Sequence, residues 1–172
     1  MPYTLGSFET RTFADLMASF GTTGVGSLEI VPTTGAAPSS LVRIEDGGAV
    51  IIPQLRTEDV LVSGSRGVLT TPLDLTRFRL NVGIRTFSSG VAMTATLYDA
   101  AGTVIRSNSR TFLPNSLAQL SASDLVGGNI GPNQSVVIAV DSGSAVVYGS
   151  TVSNTGQGST FQIAARVGSL HQ

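Results

Sequence analysis

The run Arg77-Phe78-Arg79-Leu80-Asn81-Val82-Gly83-Ile84-Arg85-Thr86 decides how the rest of the chain is read. Phe78, Leu80, Val82 and Ile84 alternate with Arg77, Arg79, Asn81 and Arg85, a period of two that gives a strand one apolar and one wet face. A second alternating run follows, Val91-Ala92-Met93-Thr94-Ala95-Thr96-Leu97-Tyr98, in which Val91, Met93, Ala95 and Leu97 share a side. Ser88-Ser89-Gly90 between them has the composition of a turn, so the two runs are predicted to form a hairpin. The other apolar runs are expected to pack on it.

Downstream, Asp99-Ala100-Ala101-Gly102 reads as a tight turn into a strand at 103–112 that Pro114 ends. Ser121 or Ser123, ahead of Asp124, can cap one helical turn. Strands are predicted at 134–141, 145–152 and 160–167, with Ser142-Gly143-Ser144 as the first of the separating turns. Upstream, Val68 to Thr71 and Val60 to Val62 add short strands around Ser63-Gly64-Ser65-Arg66-Gly67, a flexible segment suited to a domain boundary. Residues 41–45 and 49–52 form a hairpin about Asp46-Gly47-Gly48, and 27–31 reads as a strand closed by Pro32. One helix is predicted, over 12–20: Phe13, Leu16, Met17 and Phe20 fall at helical spacing, with Asp15 in the first turn and Gly21 at the stop. Its stripe is expected to bury against a sheet.

Composition narrows the function classes. The 172 residues are 41% hydrophobic, enough for a core, but only 12% charged, so hydroxyl side chains carry solubility. All ten basic residues are Arg, a source signature of GC-rich coding, and the net charge of −1 offers no basic field for a nucleic acid. No apolar run approaches the length of a membrane span, and Met1-Pro2-Tyr3-Thr4 is no signal peptide. The absence of cysteine removes disulfides, thiolate metal sites and cysteine nucleophiles together.

An internal echo organises the whole. Residues 5–16 run parallel to 113–125, each ending in Asp-Leu, and the strands that follow match in order: 27–31 with 135–140, 41–45 with 146–152, 48–52 with 159–164. Residues 1–60 thus read as the C-terminal half of a β-sandwich repeat including the helix, residues 67–167 as a complete repeat, and 168–172 as a tail. The expected fold is all-β, an immunoglobulin-like antiparallel β-sandwich with one short helix plus a partial second repeat. A chain that starts inside a repeat is expected to be a fragment, and its unpaired strands favour a homo-oligomer.

Ser150-Thr151-Val152-Ser153-Asn154-Thr155-Gly156 with Ser159-Thr160-Phe161, Leu97-Tyr98-Asp99-Ala100-Ala101-Gly102 upstream, and Arg11-Thr12-Phe13-Ala14-Asp15-Leu16 in the leading half carry a resemblance. The chain resembles the immunoglobulin-like β-sandwich repeat modules of large, mostly uncharacterised secreted bacterial proteins. That resemblance implies the fold and an extracellular or cell-surface location in the parent protein, and it transfers no catalytic residue.

The chemistry-bearing side chains are sparse. His171, the single histidine, lies in the tail, and no Gly-x-Ser-x-Gly turn is present, which disfavours a Ser-His-Asp triad and a structural zinc site. Glu45-Asp46 and Glu58-Asp59 read as turn carboxylates. The metal candidates are Asp99 and Asp141, which would hold Ca²⁺ if hairpin ends converged. For binding, Arg77, Arg79 and Arg85 are predicted to share one outward face, which reads first as a solvated face with cross-strand contacts and second as a strip for an anion or acidic glycan. The loops at 88–90 and 154–159 would gather at one end, with Tyr148 and Tyr98 the available aromatics. The first reading is a non-catalytic structural or interaction module acting through sheet edges and surface. A glycan- or protein-binding module is second, and a small promiscuous hydrolase using loop carboxylates or hydroxyls third.

Overall fold

The computed structural model describes residues 3–24, 26–45, 49–52, 54–156 and 158–167. The chain divides into two compact units, Met1–Ile30 and Val31–Gln172.

In the first unit a single helical turn, α1 (Leu16–Ser19), follows Asp15, whose Oδ1 accepts the Ala18 N–H at 2.9 Å. Asp15 therefore caps the helix instead of sitting inside it, and the helix predicted over 12–20 shrinks to four residues. Its stripe is not buried as expected: Phe13, Leu16 and Met17 are half-buried and Phe20 is 46% exposed. Phe13 instead meets Tyr3 edge-on at 6.1 Å, with the Arg11 guanidinium over both rings. Residues 27–31 are not a strand, and among the described residues no backbone hydrogen bond joins them to another segment.

The second unit opens with an antiparallel ribbon of β1 (Val42–Glu45) and β2 (Ala49–Ile52), Val42 opposite Ile52. The predicted turn at Asp46-Gly47-Gly48 lies outside the described residues. A 3-10 turn (Thr57–Asp59) leads into β3 (Val60–Val62) and β4 (Arg66–Thr70). After them come β5 (Phe78–Tyr98), β6 (Val104–Phe112), β7 (Leu117–Ser121), α2 (Ala122–Val126), β8 (Ser135–Ser153), β9 (Ser159–Ile163) and β10 (Ala165–Arg166). From β3 onward the strands form one eight-stranded antiparallel sheet, and the ribbon is a separate two-stranded one. No helix among the described residues is long and apolar enough to cross a membrane.

The two longest strands correct the sequence reading. The predicted hairpin at 88–90 does not form: β5 continues through it, and both arms run along β8, 78–86 against 145–153 and 91–98 against 135–143. Ser142-Gly143-Ser144 is likewise not a turn but the middle of β8. Gly90 and Gly143, with φ of +64° and +79°, meet where the paired strands bend together, and a Cβ on Gly143 would stand 2.1 Å from the Gly90 carbonyl oxygen. Turn-forming residues on two adjacent strands have made a shared bulge, which adds residues and kinks the pair without ending it.

The bend also switches which residues face inward. On β5 the buried set passes from Leu80, Val82 and Ile84 to Val91, Met93, Ala95 and Leu97; on β8 it passes from Val136, Ile138 and Val140 to Ala145 and Val147. Both halves contribute to a single buried cluster with Leu61, Leu69, Leu125 and Val126. Burial of each such side chain contributes about 1.5–3 kcal/mol, so this cluster is the main source of stability.

The remaining strands follow that long pair. Along the other edge of β8 run β4, β3 and β9 in turn, while β10 pairs with β4. On the far side of β5 lie β6, against 91–98, and β7, against 81–85. Ser121, and not Ser123, caps α2 by accepting the Asp124 N–H at 3.0 Å, and Ala122, Leu125 and Val126 are buried. Three side chains of β6 reach carbonyls at the end of α2: Arg110 to Asp124 (2.5 Å), Asn108 to Leu125 (2.9 Å) and Arg106 to Gly127 (3.2 Å). Cations and amides there satisfy acceptors that a helix end leaves open.

Candidate functional site

The outward side of the sheet half built from β7, β5, β8 and β9 brings together most of the sequence-predicted binding residues. Because paired residues in a ladder share a face, Gly83 stands between Gln119 and Tyr148, and Tyr148 in turn opposes Ile163. Arg85 lies one step along, beside Leu117 and Val146, and Arg79 pairs with Val152 near the other end. The Tyr148 ring lies across Gly83: a Cβ there would be 2.0 Å from the Tyr148 Cζ. A glycine inside a strand often marks such a close approach. Phe161 sits diagonally from Tyr148, ring centroids 5.9 Å apart and planes tilted by 39°. Half-burial against this sheet pushes the Tyr148 hydroxyl above its ordinary value of 10.0, because the phenolate loses water.

Arg79 is exposed, with its Nη1 donating to the Ser153 carbonyl (3.1 Å) and to Asn154 Oδ1 (3.2 Å). Arg85 is half-buried, donates to the Thr86 carbonyl and lies over the Phe87 ring. Arg77 departs from the predicted strip. It precedes β5 in a turn where Asp74 Oδ1 accepts from the Thr76 hydroxyl (2.6 Å), the Thr76 N–H (2.9 Å) and the Arg77 N–H (3.2 Å), and its guanidinium packs over Phe78. The Thr76 hydroxyl first, then the Arg77 N–H, hold the Asp74 carboxyl below its ordinary 3.8.

The other candidates stand apart. Tyr98 pairs with Ser135 at the far end of β8 from Tyr148. Residues 88–90 are a mid-strand bend, so they do not join 154–159 in a loop cluster. Asp99 Oδ1 is occupied by the N–H groups of Ala101 (2.9 Å) and Thr103 (2.8 Å), which makes it the clasp of the β5–β6 turn. Asp141 Oδ2 accepts from the Thr94 hydroxyl at 3.0 Å. Tyr98, next to Asp99, pairs with Ser135, about 20 Å of strand from Asp141, so the convergence expected for a shared Ca²⁺ does not occur. No group of three or more acidic or histidine side chains assembles among the described residues. Glu58 pairs with Arg56 at 3.4 Å on an exposed turn, and Asp59 accepts the Arg56 N–H at 2.7 Å. His171 lies outside the described residues.

Phe161 and the Gly83–Tyr148 contact are what the sequence reading missed. The signal was present: Gly83 occupies a wet-face position in an otherwise regular alternation, where a side chain is missing and a neighbour must fill the space. Comparison with protein-family models and with curated proteins finds no match for the chain.

Proposed function

We propose that the chain is a non-catalytic, immunoglobulin-like β-sandwich module of an exported bacterial protein, preceded by half of a second repeat, and that it associates with a second copy through sheet edges. The sandwich reading is supported by the bent β5–β8 pair, whose two halves turn opposite residue parities into one core. The half-repeat reading is supported by a shared order: a capped helical turn, then a strand pair, in α1 with β1–β2 as in α2 with β8–β9. The exported origin rests on the resemblance in the residues alone.

The observation that carries the interaction role is the ribbon. A two-stranded hairpin is marginal in water, and this one leaves Ile51 58% and neighbouring Leu41 72% exposed, with Val42 exposed at its start. Although β2 approaches β9, it stays outside the main sheet. A second ribbon aligned along β1 would supply the missing hydrogen bonds and cover those side chains. Light scattering at micromolar concentration is expected to give twice the chain mass, and Ile51→Asp to give the single mass. A single mass for the unaltered chain would remove the self-association.

A further inference from the structure

We infer that the outward face around Tyr148 is a binding site for an acidic polysaccharide, a chain of sugar rings bearing carboxylates. This goes beyond the structural role above and does not depend on self-association.

Charge comes first. Arg79 and Arg85 lie on this face, and none of the outward positions of β5, β7, β8 and β9 in this half of the sheet is Asp or Glu. In a protein of net charge −1 that is a local excess of positive charge. The ion pair found among the described residues joins Arg56 to Glu58 and involves neither arginine. Their partners are neutral oxygens of Ser153, Asn154 and Thr86, which position the guanidinium groups without cancelling their charge. A guanidinium so placed offers its remaining N–H groups to a carboxylate in two-point geometry.

Shape selects the kind of anion. Tyr148 lies down on Gly83 with Phe161 beside it, so two aromatic rings floor the space between the arginines. The Tyr148 hydroxyl has no hydrogen-bond partner among the described residues, which leaves it for a sugar hydroxyl. Arg79 to Arg85 spans about 20 Å of strand, room for several linked rings laid along the face. An acidic peptide would gain most by adding as a strand, but a sheet face has its backbone groups already paired and offers none for that.

Retention of the full chain on immobilised polygalacturonate tests this. Binding is expected at low salt and is expected to vanish near about 1 M, where screening acts within about 3 Å. Arg79→Gln, an exposed change that leaves the core alone, is expected to weaken retention about tenfold, the cost of one charge-assisted hydrogen bond. Arg85→Gln is expected to do the same, Arg56→Gln to do nothing, and neutral dextran not to bind. Absence of retention, or retention unchanged in Arg79→Gln and Arg85→Gln, overturns the proposal. Equal retention on polyglutamate overturns the assignment to sugar and moves it to acidic peptide.

Discussion

Replacing Gly143 by Ala tests the bend on which the architecture turns. Two costs arise. A side chain at φ +79° carries about 1–2 kcal/mol of left-handed strain. Gly102→Ala isolates that cost, since Gly102 has the same φ of +79° and nothing within 4 Å of its would-be Cβ. The second cost belongs to Gly143 alone. Its Cβ would stand 2.1 Å from the Gly90 oxygen, about 1.3 Å short of the 3.4 Å at which ordinary contact begins, and the obstacle is backbone. The strands must part where Val91 opposes Gly143 and Thr86 opposes Ala145. One or two ladder hydrogen bonds at about 1 kcal/mol each are lost, and the contacts of buried Val91 and Ala145 loosen. The expected total is about 3–5 kcal/mol for Gly143→Ala, against about 1–2 kcal/mol for Gly102→Ala. Urea unfolding followed by circular dichroism reads the difference as a lower midpoint at unchanged slope. If the two variants unfold at the same midpoint, Gly90 and Gly143 do not face each other across a continuous strand pair, and a hairpin at 88–90 regains its place.

Two further outcomes follow from the same geometry. Gly83→Ala pushes the Tyr148 ring outward, at a cost of about 1 kcal/mol because the obstacle is the free end of a side chain, and returns its hydroxyl toward 10.0; a tyrosinate absorbance titration checks this. The sign for the unaltered protein is fixed: a folded-state value raised above 10.0 means the folded chain holds its proton longer, so this contribution is intact below pH 10 and lost as pH rises beyond it. Leu97→Ala, at a fully buried position, is expected to cost about 2–5 kcal/mol in urea unfolding, while Leu113→Ala, at 77% exposure, should stay within about 0.5 kcal/mol.

How far the sequence could be read depended on what each signal measures. Alternation reports which residues share a side, and it placed Leu80, Val82, Ile84, Met93 and Leu97 in the core. It is silent on what lies across the strand, so Ser-Ser-Gly at 88–90 and Ser-Gly-Ser at 142–144 carried the appearance of turns when each was half of one bend. Only knowing that they are neighbours separates the two outcomes. Helical spacing at 13–20 failed for a related reason: four or five periodic residues provide too few hydrogen bonds to hold a helix without packing, and only the turn begun by Asp15 remains. Among the site candidates, Arg79 and Arg85 share a face as strand parity predicts, whereas Tyr148, expected beside the loops at 88–90 and 154–159, joins them only through the β5–β8 register. Arg77 and the Asp99–Asp141 pair failed because their positions depend on turn hydrogen bonds and on distance along β8, which residue types do not encode.

Two of the open edges of the second unit, β6 and the ribbon, differ in a way that bears on how the chain meets other molecules. An open strand nine residues long invites another strand, yet β6 aims Arg106, Asn108 and Arg110 at the end of α2, and Ser107 and Ser109 at Thr96 and Thr94. Inward-pointing charge on an edge strand discourages a second strand, since flattening the edge to receive one would break three hydrogen bonds to α2 at about 1.5–3 kcal/mol each for the charged pair. The ribbon of β1 and β2 stands outside the main sheet, with Ile51 on β2 and Leu41 just before β1 facing solvent. An association that used β6 would have to dismantle the closure made by α2, whereas one that used the ribbon would leave the core cluster untouched. The self-association proposed above would therefore use the ribbon and not β6, and the ligand proposed for the face of Arg79, Arg85 and Tyr148 is of a different kind.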